Sequence, residues 1–239
     1  RLSAYEGSGY RIAPLRVPVL TACAGTAGAQ VVLVQDGIAD RLPASLELAA
    51  VALGPADATV TVDKTTGVYE PVSIGLRING KSEAGTTSDD LGTQLLCAHL
   101  PMLAKPDAKD VFVLGLASGM TAAVPLGYPI ERLDVAENCD PVIKASHFFD
   151  DWNHHVLADP RTRLWIEDGR TVLKLRPQLY DVIITQPSNP WFVGTGSVFS
   201  KEYYQAASER LKSGGIMAQW VQLYETQDDI VALILRTFG

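Results

Sequence analysis

From Asp110 onward the apolar residues fall into short unbroken runs: "DVFVLGLA" (110–117), "ERLDVAE" (131–137), "TRLWIED" (162–168), "YDVIITQ" (180–186) and "GGIMAQWVQ" (214–222). Runs of this kind fit strands covered on both faces, as in parallel sheets. Helical patterns lie between and after them, near 119–126, 140–150, 169–175, 200–212 and 226–238. Strict alternation of β and α units predicts a doubly wound, mainly parallel Rossmann-like sheet, in the α/β class.

The first hundred residues read differently. "QVVLVQDG" (30–37) predicts a strand and turn, and "PASLELAAVAL" (43–53) fits either a helix or a strand. "ATVTVD" (58–63) alternates cleanly and "VSIGLRING" (72–80) follows at hairpin distance, which predicts a small antiparallel β region. "TSDDLGTQLLCAHLPMLA" (87–104) predicts a helix capped by Ser88 or Asp89, with Leu91, Leu95, Leu96 and His99 on one face. The expected division is a β-rich region with a linking helix over 1–103 and a Rossmann-like nucleoside-binding domain over 104–239.

Charge and composition narrow the partners. The 239 residues carry a net charge of -7 without a Lys/Arg block, which argues against a nucleic-acid partner and for a small molecule. The cysteines Cys23, Cys97 and Cys139 are dispersed and form no CxxC pair, so they are read as buried thiols and not as a metal site or a disulfide framework. Adjacent histidines, His154 and His155, do not share a helix face, so no metal is expected there either. No run of 18 apolar residues spans a membrane, and no signal peptide is recognisable. The chain begins at Arg1 and ends at Gly239 within a helical pattern, which suggests a piece of a longer protein.

In an open α/β sheet the ligand sits beyond the carboxyl ends of the strands. That rule selects Gly115, Ser118 and Gly119 after the first run, Glu137 after the second, Asp168 and Gly169 after the third, and Gln186 to Trp191 after the fourth. Glu137 follows Gly115 by 22 residues, where a carboxylate can accept both hydroxyls of a ribose. Asp168 fits a ligand contact or a plain helix N-cap. The spacing Gly115-x-x-x-Gly119 is not that of a pyrophosphate loop, so a nucleoside without pyrophosphate is expected.

From about residue 58 to 238 the chain resembles the spermidine synthase family of aminopropyltransferases, which have the class I methyltransferase fold. Its nearest likeness is the bacterial branch in which this domain is fused to membrane segments. The resemblance rests on "INGK", "DDLGTQLLCAHLPML", "VFVLGLASGMTA", "LDVAEN", "IEDGRTVL", "YDVIITQPSNPW" and "SVFSKEYYQAASERLKSGGIMAQWVQ", in that order. It implies a site for decarboxylated S-adenosylmethionine or methylthioadenosine. Glu137 would hold the ribose, Asp168 the adenine amino group, and Gln94 would approach from the N-terminal region. Residues 192–200 correspond to the family's closing loop. The family has aspartates where this chain has Ser118, Gln186 and Asn189, Gln186 standing at the proton acceptor and Asn189 at a substrate contact. Neither glutamine nor asparagine carries a titratable carboxylate. The expectation is therefore an adenosyl-binding domain with aminopropyl transfer weak or lost and an uncharged amine wall. Two alternatives stand beside it: a silent scaffolding subunit of a larger, membrane-associated complex or homodimer, and a methyltransferase using S-adenosylmethionine. Sheets of this fold also continue with two strands beyond the last helix seen here.

Overall fold

A computed structural model describes residues 46–53, 59–65, 72–191, 195–223 and 226–238. The expected strand at 30–37 and Cys23 lie outside them. An antiparallel sheet comes first, in the order β1 (Leu46–Leu53), β2 (Thr59–Thr65), β3 (Ser73–Ile78), β4 (Lys81–Gly85). Within the ambiguous segment 43–53, Leu46–Leu53 is thus a strand. Helix α1 (Ser88–Ala104) follows.

The main sheet holds β5 (Asp110–Leu114), β6 (Arg132–Ala136), β7 (Thr162–Trp165), β8 (Tyr180–Thr185) and β9 (Leu211–Gln219), ordered β7-β6-β5-β8-β9 and parallel throughout. Between and after them run α2 (Met120–Ala123), α3 (Asp140–Ser146), α4 (Asp150–Asn153), α5 (Gly169–Leu175), α6 (Lys201–Ser208) and α7 (Asp228–Phe238). Phe112, Val113, Leu133, Val135, Ile183 and Ile184 are buried, as covered parallel strands require. Strand order reverses between β6 and β8, on either side of β5, so the crevice above β5 is where a ligand is expected. No helix among the described residues is long and apolar enough to cross a membrane.

Two details of α1 differ from the sequence reading. The cap is Thr87, in extended backbone, whose hydroxyl accepts from the Asp90 N–H at 3.3 Å and donates to the Asp90 carboxylate at 2.7 Å. The buried face is Gln94, Ala98, Pro101 and Met102, about one residue further round than predicted, while Leu96 is 57% exposed. His99 is half-buried, its Nδ1 hydrogen-bonded to the Tyr128 hydroxyl at 2.9 Å. Cys97 and Cys139 are free and partly buried, and burial pushes the Cys97 thiol up to about 11.

The antiparallel sheet does not stand apart. Val60, Val62, Leu76 and Ala84 pack with Met120, Val142, Ala145 and Phe149 of the main domain in one apolar cluster. That packing holds the β3–β4 hairpin over the carboxyl ends of the main strands.

At the opposite end of the sheet, Asp181 accepts the N–H of Lys109 (2.8 Å), the N–H of Asp110 (2.9 Å) and the Lys212 ammonium (2.8 Å) on one oxygen. Burial, the largest single influence, pushes its carboxyl upward; Lys212 and the two N–H groups together outweigh it and hold the group below the ordinary aspartate range. A depressed folded-state value gives stability that is present above the unfolded value and lost as pH falls through the folded one. Asp181→Asn is expected to lose roughly 1.5–3 kcal/mol at neutral pH, with the deficit shrinking on acidification. Urea melts of both proteins from neutral to acidic pH would check it, and an equal deficit at every pH would contradict it.

Candidate functional site

A cavity of about 1080 Å³ opens above the carboxyl ends of β5, β6 and β8, roofed by β4 and the first turns of α1. Of the residues picked from the sequence, Gln94, Gly115, Glu137, Asp168, Gly169, Gln186 and Asn189 line it. Ser118 and Gly119 are not among its lining residues. The loop after β5 passes through left-handed backbone at Gly115 (φ 90°), Ala117 (φ 48°) and Gly119 (φ 83°), and this turns Ser118 inward. Ser118 is 1% exposed, donates to Gln94 Oε1 at 2.5 Å and accepts from the Met120 N–H at 3.3 Å. Gly119 serves packing: a Cβ there would stand 2.9 Å from Asn153 Nδ2. At Gly115 a Cβ would meet nothing closer than 3.7 Å, so its glycine answers to the positive φ and leaves the backbone open to the cavity.

Glu137 projects from the end of β6 into this loop. One oxygen accepts from the Leu116 N–H at 3.1 Å and the other from the Cys139 N–H at 2.9 Å. Burial pushes its carboxyl above the ordinary glutamate range, although the N–H groups of Leu116, Cys139, Asn138 and Ala117 all pull the other way. Glu137 is also among the residues lining the cavity, where its oxygens can meet a ligand hydroxyl.

Asp168 is the N-cap of α5. Its carboxylate accepts the N–H groups of Arg170 (2.8 Å) and Thr171 (3.3 Å) and is clasped by the Arg170 guanidinium at 2.7 Å. The Arg170 side chain is the main reason the group sits below the ordinary aspartate range. Both readings of Asp168 therefore meet in one residue: it caps a helix and also lines the cavity.

Gln94 bridges three elements. It accepts from Ser118 and donates to the carbonyls of Gly85 (2.9 Å) and Asp90 (3.0 Å). On the far wall, Gln186 accepts a hydrogen bond from Thr121 Oγ1, and Asn189 is 3% exposed. From the 192–200 loop, Thr195, Ser197 and Val198 complete that side. Trp191 is 55% exposed and is not among the lining residues. His154 and His155 lie away from the cavity at the end of α4, where His155 and His147 both approach Asp150.

The expectation of an uncharged amine wall needs correction. Ser118, Gln186 and Asn189 carry no charge, but the roof brings Lys81, Glu83, Asp89 and Asp90 to the same cavity. Glu83 accepts from Ser188 Oγ and Lys81 Nζ, both at 2.8 Å. Ser188 lies two residues past Gln186, so a carboxylate does reach this wall, from the hairpin and not from the β8 loop. The signal was present in "KSEAG": Lys81 and Glu83 are two apart on a strand and so share a face.

The profile of the spermine/spermidine synthase domain matches residues 91–238. A polyamine aminopropyltransferase 2 from Pseudomonas aeruginosa is 28% identical over 167 residues, covering 68% of this chain and 47% of that protein. A polyamine aminopropyltransferase from Streptococcus pneumoniae is 32% identical over 132 residues, covering 54% and 46%. Putrescine N-methyltransferase 2 of Nicotiana tabacum is 31% identical over 125 residues, covering 51% and 35%. This chain spans about half the length of the aminopropyltransferases it matches. Among solved structures, the spermidine synthase from Thermotoga maritima superposes with a TM-score of 0.67 at 21% identity, over 81% of this chain and 64% of that one. A spermidine synthase in complex with the transition-state analogue AdoDATO gives 0.68 at 22%, over 81% and 65%. At these identities the structural likeness is one of fold.

Proposed function

The chain belongs to the spermine/spermidine synthase family, and we propose that its cavity binds an adenosyl nucleoside, decarboxylated S-adenosylmethionine or methylthioadenosine, with aminopropyl transfer to a diamine weak or lost. The observation that carries this reading is that Glu137 and Asp168, from the ends of adjacent strands, line one cavity whose floor is the open backbone at Gly115. In this reading the ribose lies against Glu137 and the adenine toward Asp168. A spermidine synthase of the same fold is known with an adenosyl analogue bound, which supports the ligand class.

Aminopropyl transfer asks more of the site. The nitrogen lone pair of the amine attacks the methylene beside the sulfonium, the S–C bond breaks and methylthioadenosine leaves. The attacking nitrogen must have shed a proton, and a general base contributes typically ~10²–10⁴ in rate. Gln186 cannot accept that proton. Its carbonyl is already engaged by Thr121.

The expected results are a thermal shift with methylthioadenosine, about 2.7 kcal/mol at 100 times the dissociation constant, and turnover of decarboxylated S-adenosylmethionine with putrescine below the ordinary range of roughly 1–10³ per second. Turnover within that range would refute the loss of transfer, and absence of a shift with every adenosyl ligand would leave only a scaffolding role. The likeness to a putrescine N-methyltransferase favours a second reading, methyl transfer from S-adenosylmethionine. Running the same shift assay with S-adenosylmethionine and its decarboxylated form separates the two.

A further inference from the structure

The roof of the cavity contains a complete seat for a primary ammonium, and the seat is filled by the chain itself. The Asn79–Gly80 turn starts β4 at Lys81, whose Nζ donates to Glu83 Oε1 at 2.8 Å and to Ser188 Oγ at 3.0 Å. Ser188 Oγ in turn donates to the same Glu83 oxygen at 2.8 Å. Carboxylate, hydroxyl and ammonium thus close a ring across the gap between the hairpin and the loop after β8. The Glu83 side chain is only 14% exposed and that of Lys81 27%, so the charges are partly withdrawn from water and their attraction is weakly screened. All three residues line the cavity.

The geometry points to Lys81 as a specificity residue that occupies an alkylammonium seat in cis and thereby keeps free amines out of the cavity. The lysine head is a tethered alkylammonium, chemically the end group of a mono- or diamine. A free amine must displace it, and a tethered group holds its place at an effective concentration in the millimolar range. With Lys81 in place the pair Lys81–Glu83 is neutral, so this seat itself offers no net charge to a free cation. With Lys81 shortened or neutralised, Glu83 and Ser188 remain to receive one. This inference deepens the proposed function and rests on it for its meaning: the seat belongs to the cavity assigned to the nucleoside and accounts for poor amine use there.

The test is the binding of n-butylammonium and of putrescine to the folded chain without nucleoside, followed by NMR titration at constant ionic strength. Lys81→Met is expected to bind both at least tenfold more tightly than the unsubstituted chain, and Lys81→Met with Glu83→Gln to lose the gain. Lys81→Gln, which keeps a hydrogen-bonding head but no charge, is read alongside, with near-ultraviolet circular dichroism reporting the fold. A purely structural pin predicts altered melting and unchanged amine affinity. If neither Lys81 variant binds amines more tightly, or if the gain survives loss of the Glu83 charge, the seat does not exist. Methylthioadenosine is titrated separately. Its failure to bind would sink the nucleoside reading while leaving the amine result standing on its own.

Discussion

Glu137→Ala is expected to weaken methylthioadenosine binding by about 10²–10⁴-fold. Hydrogen bonds to a charged group contribute ~1.5–3 kcal/mol each, and a ribose offers two hydroxyls. Isothermal calorimetry of the variant against the unsubstituted chain reads this directly. The change also strips partners from the N–H groups of Leu116 and Cys139. Glu137→Gln is therefore the sharper comparison, because it keeps one acceptor for the loop and loses the charge. The pH dependence follows from burial. Because the folded-state value lies above the ordinary glutamate range, protonation sets in on acidification earlier than for an exposed glutamate, and affinity falls with it. For stability the sign is opposite: a raised value favours the folded chain at low pH, and that contribution disappears as pH rises through the folded value. Affinity that stays flat while the pH passes well below the ordinary glutamate range would remove Glu137 from the ribose.

The second large effect concerns Gln186. Replacing it by aspartate is expected to raise the rate of aminopropyl transfer from decarboxylated S-adenosylmethionine to putrescine by about 10²-fold or more, the lower end of what a general base supplies. Gln186→Glu is the isosteric check, since its carboxylate can keep the hydrogen bond from Thr121. Both are measured with Lys81 intact and with Lys81→Met, following spermidine by chromatography. The larger gain is expected in the Lys81→Met background, where a diamine can reach the wall. Rates unchanged in all four proteins would show that something other than a missing base limits the chemistry.

Much of this architecture could be read along the chain, for identifiable reasons. The strands β5, β6 and β8 stood out because parallel strands buried on both faces have no polar alternation to confuse them; β8 is buried at every position. For β9 the run of apolar residues misled by three residues, since the strand starts at Leu211 in a polar stretch that the Lys212 ion pairs fix to Asp110 and Asp181. The face of α1 was misjudged because a polar residue, Gln94, sits at its centre, buried by bonds to elements distant in sequence. Periodicity sees apolar side chains and is blind to a buried amide.

The site divided along the same line. Glu137, Asp168 and Gln186 follow from strand ends and the topology rule, which need only local pattern. Ser118 was misplaced because its direction depends on left-handed backbone at Ala117, which a non-glycine residue does not announce. Lys81 and Glu83 were missed because what sets a hairpin over the cavity is packing of the antiparallel sheet on helical segments of the main domain, Val62 and Leu76 clustering with Phe149 and Val142.

The shared cluster under that hairpin has a last consequence. Its eight buried members come from both sides of α1, four from the antiparallel strands and four from the helices beyond β5. Neither half owns a complete interior, so a piece severed at Lys105 would present a greasy wall to water. Melting ought to take both sheets together, and the chamber between them is only as rigid as that seam.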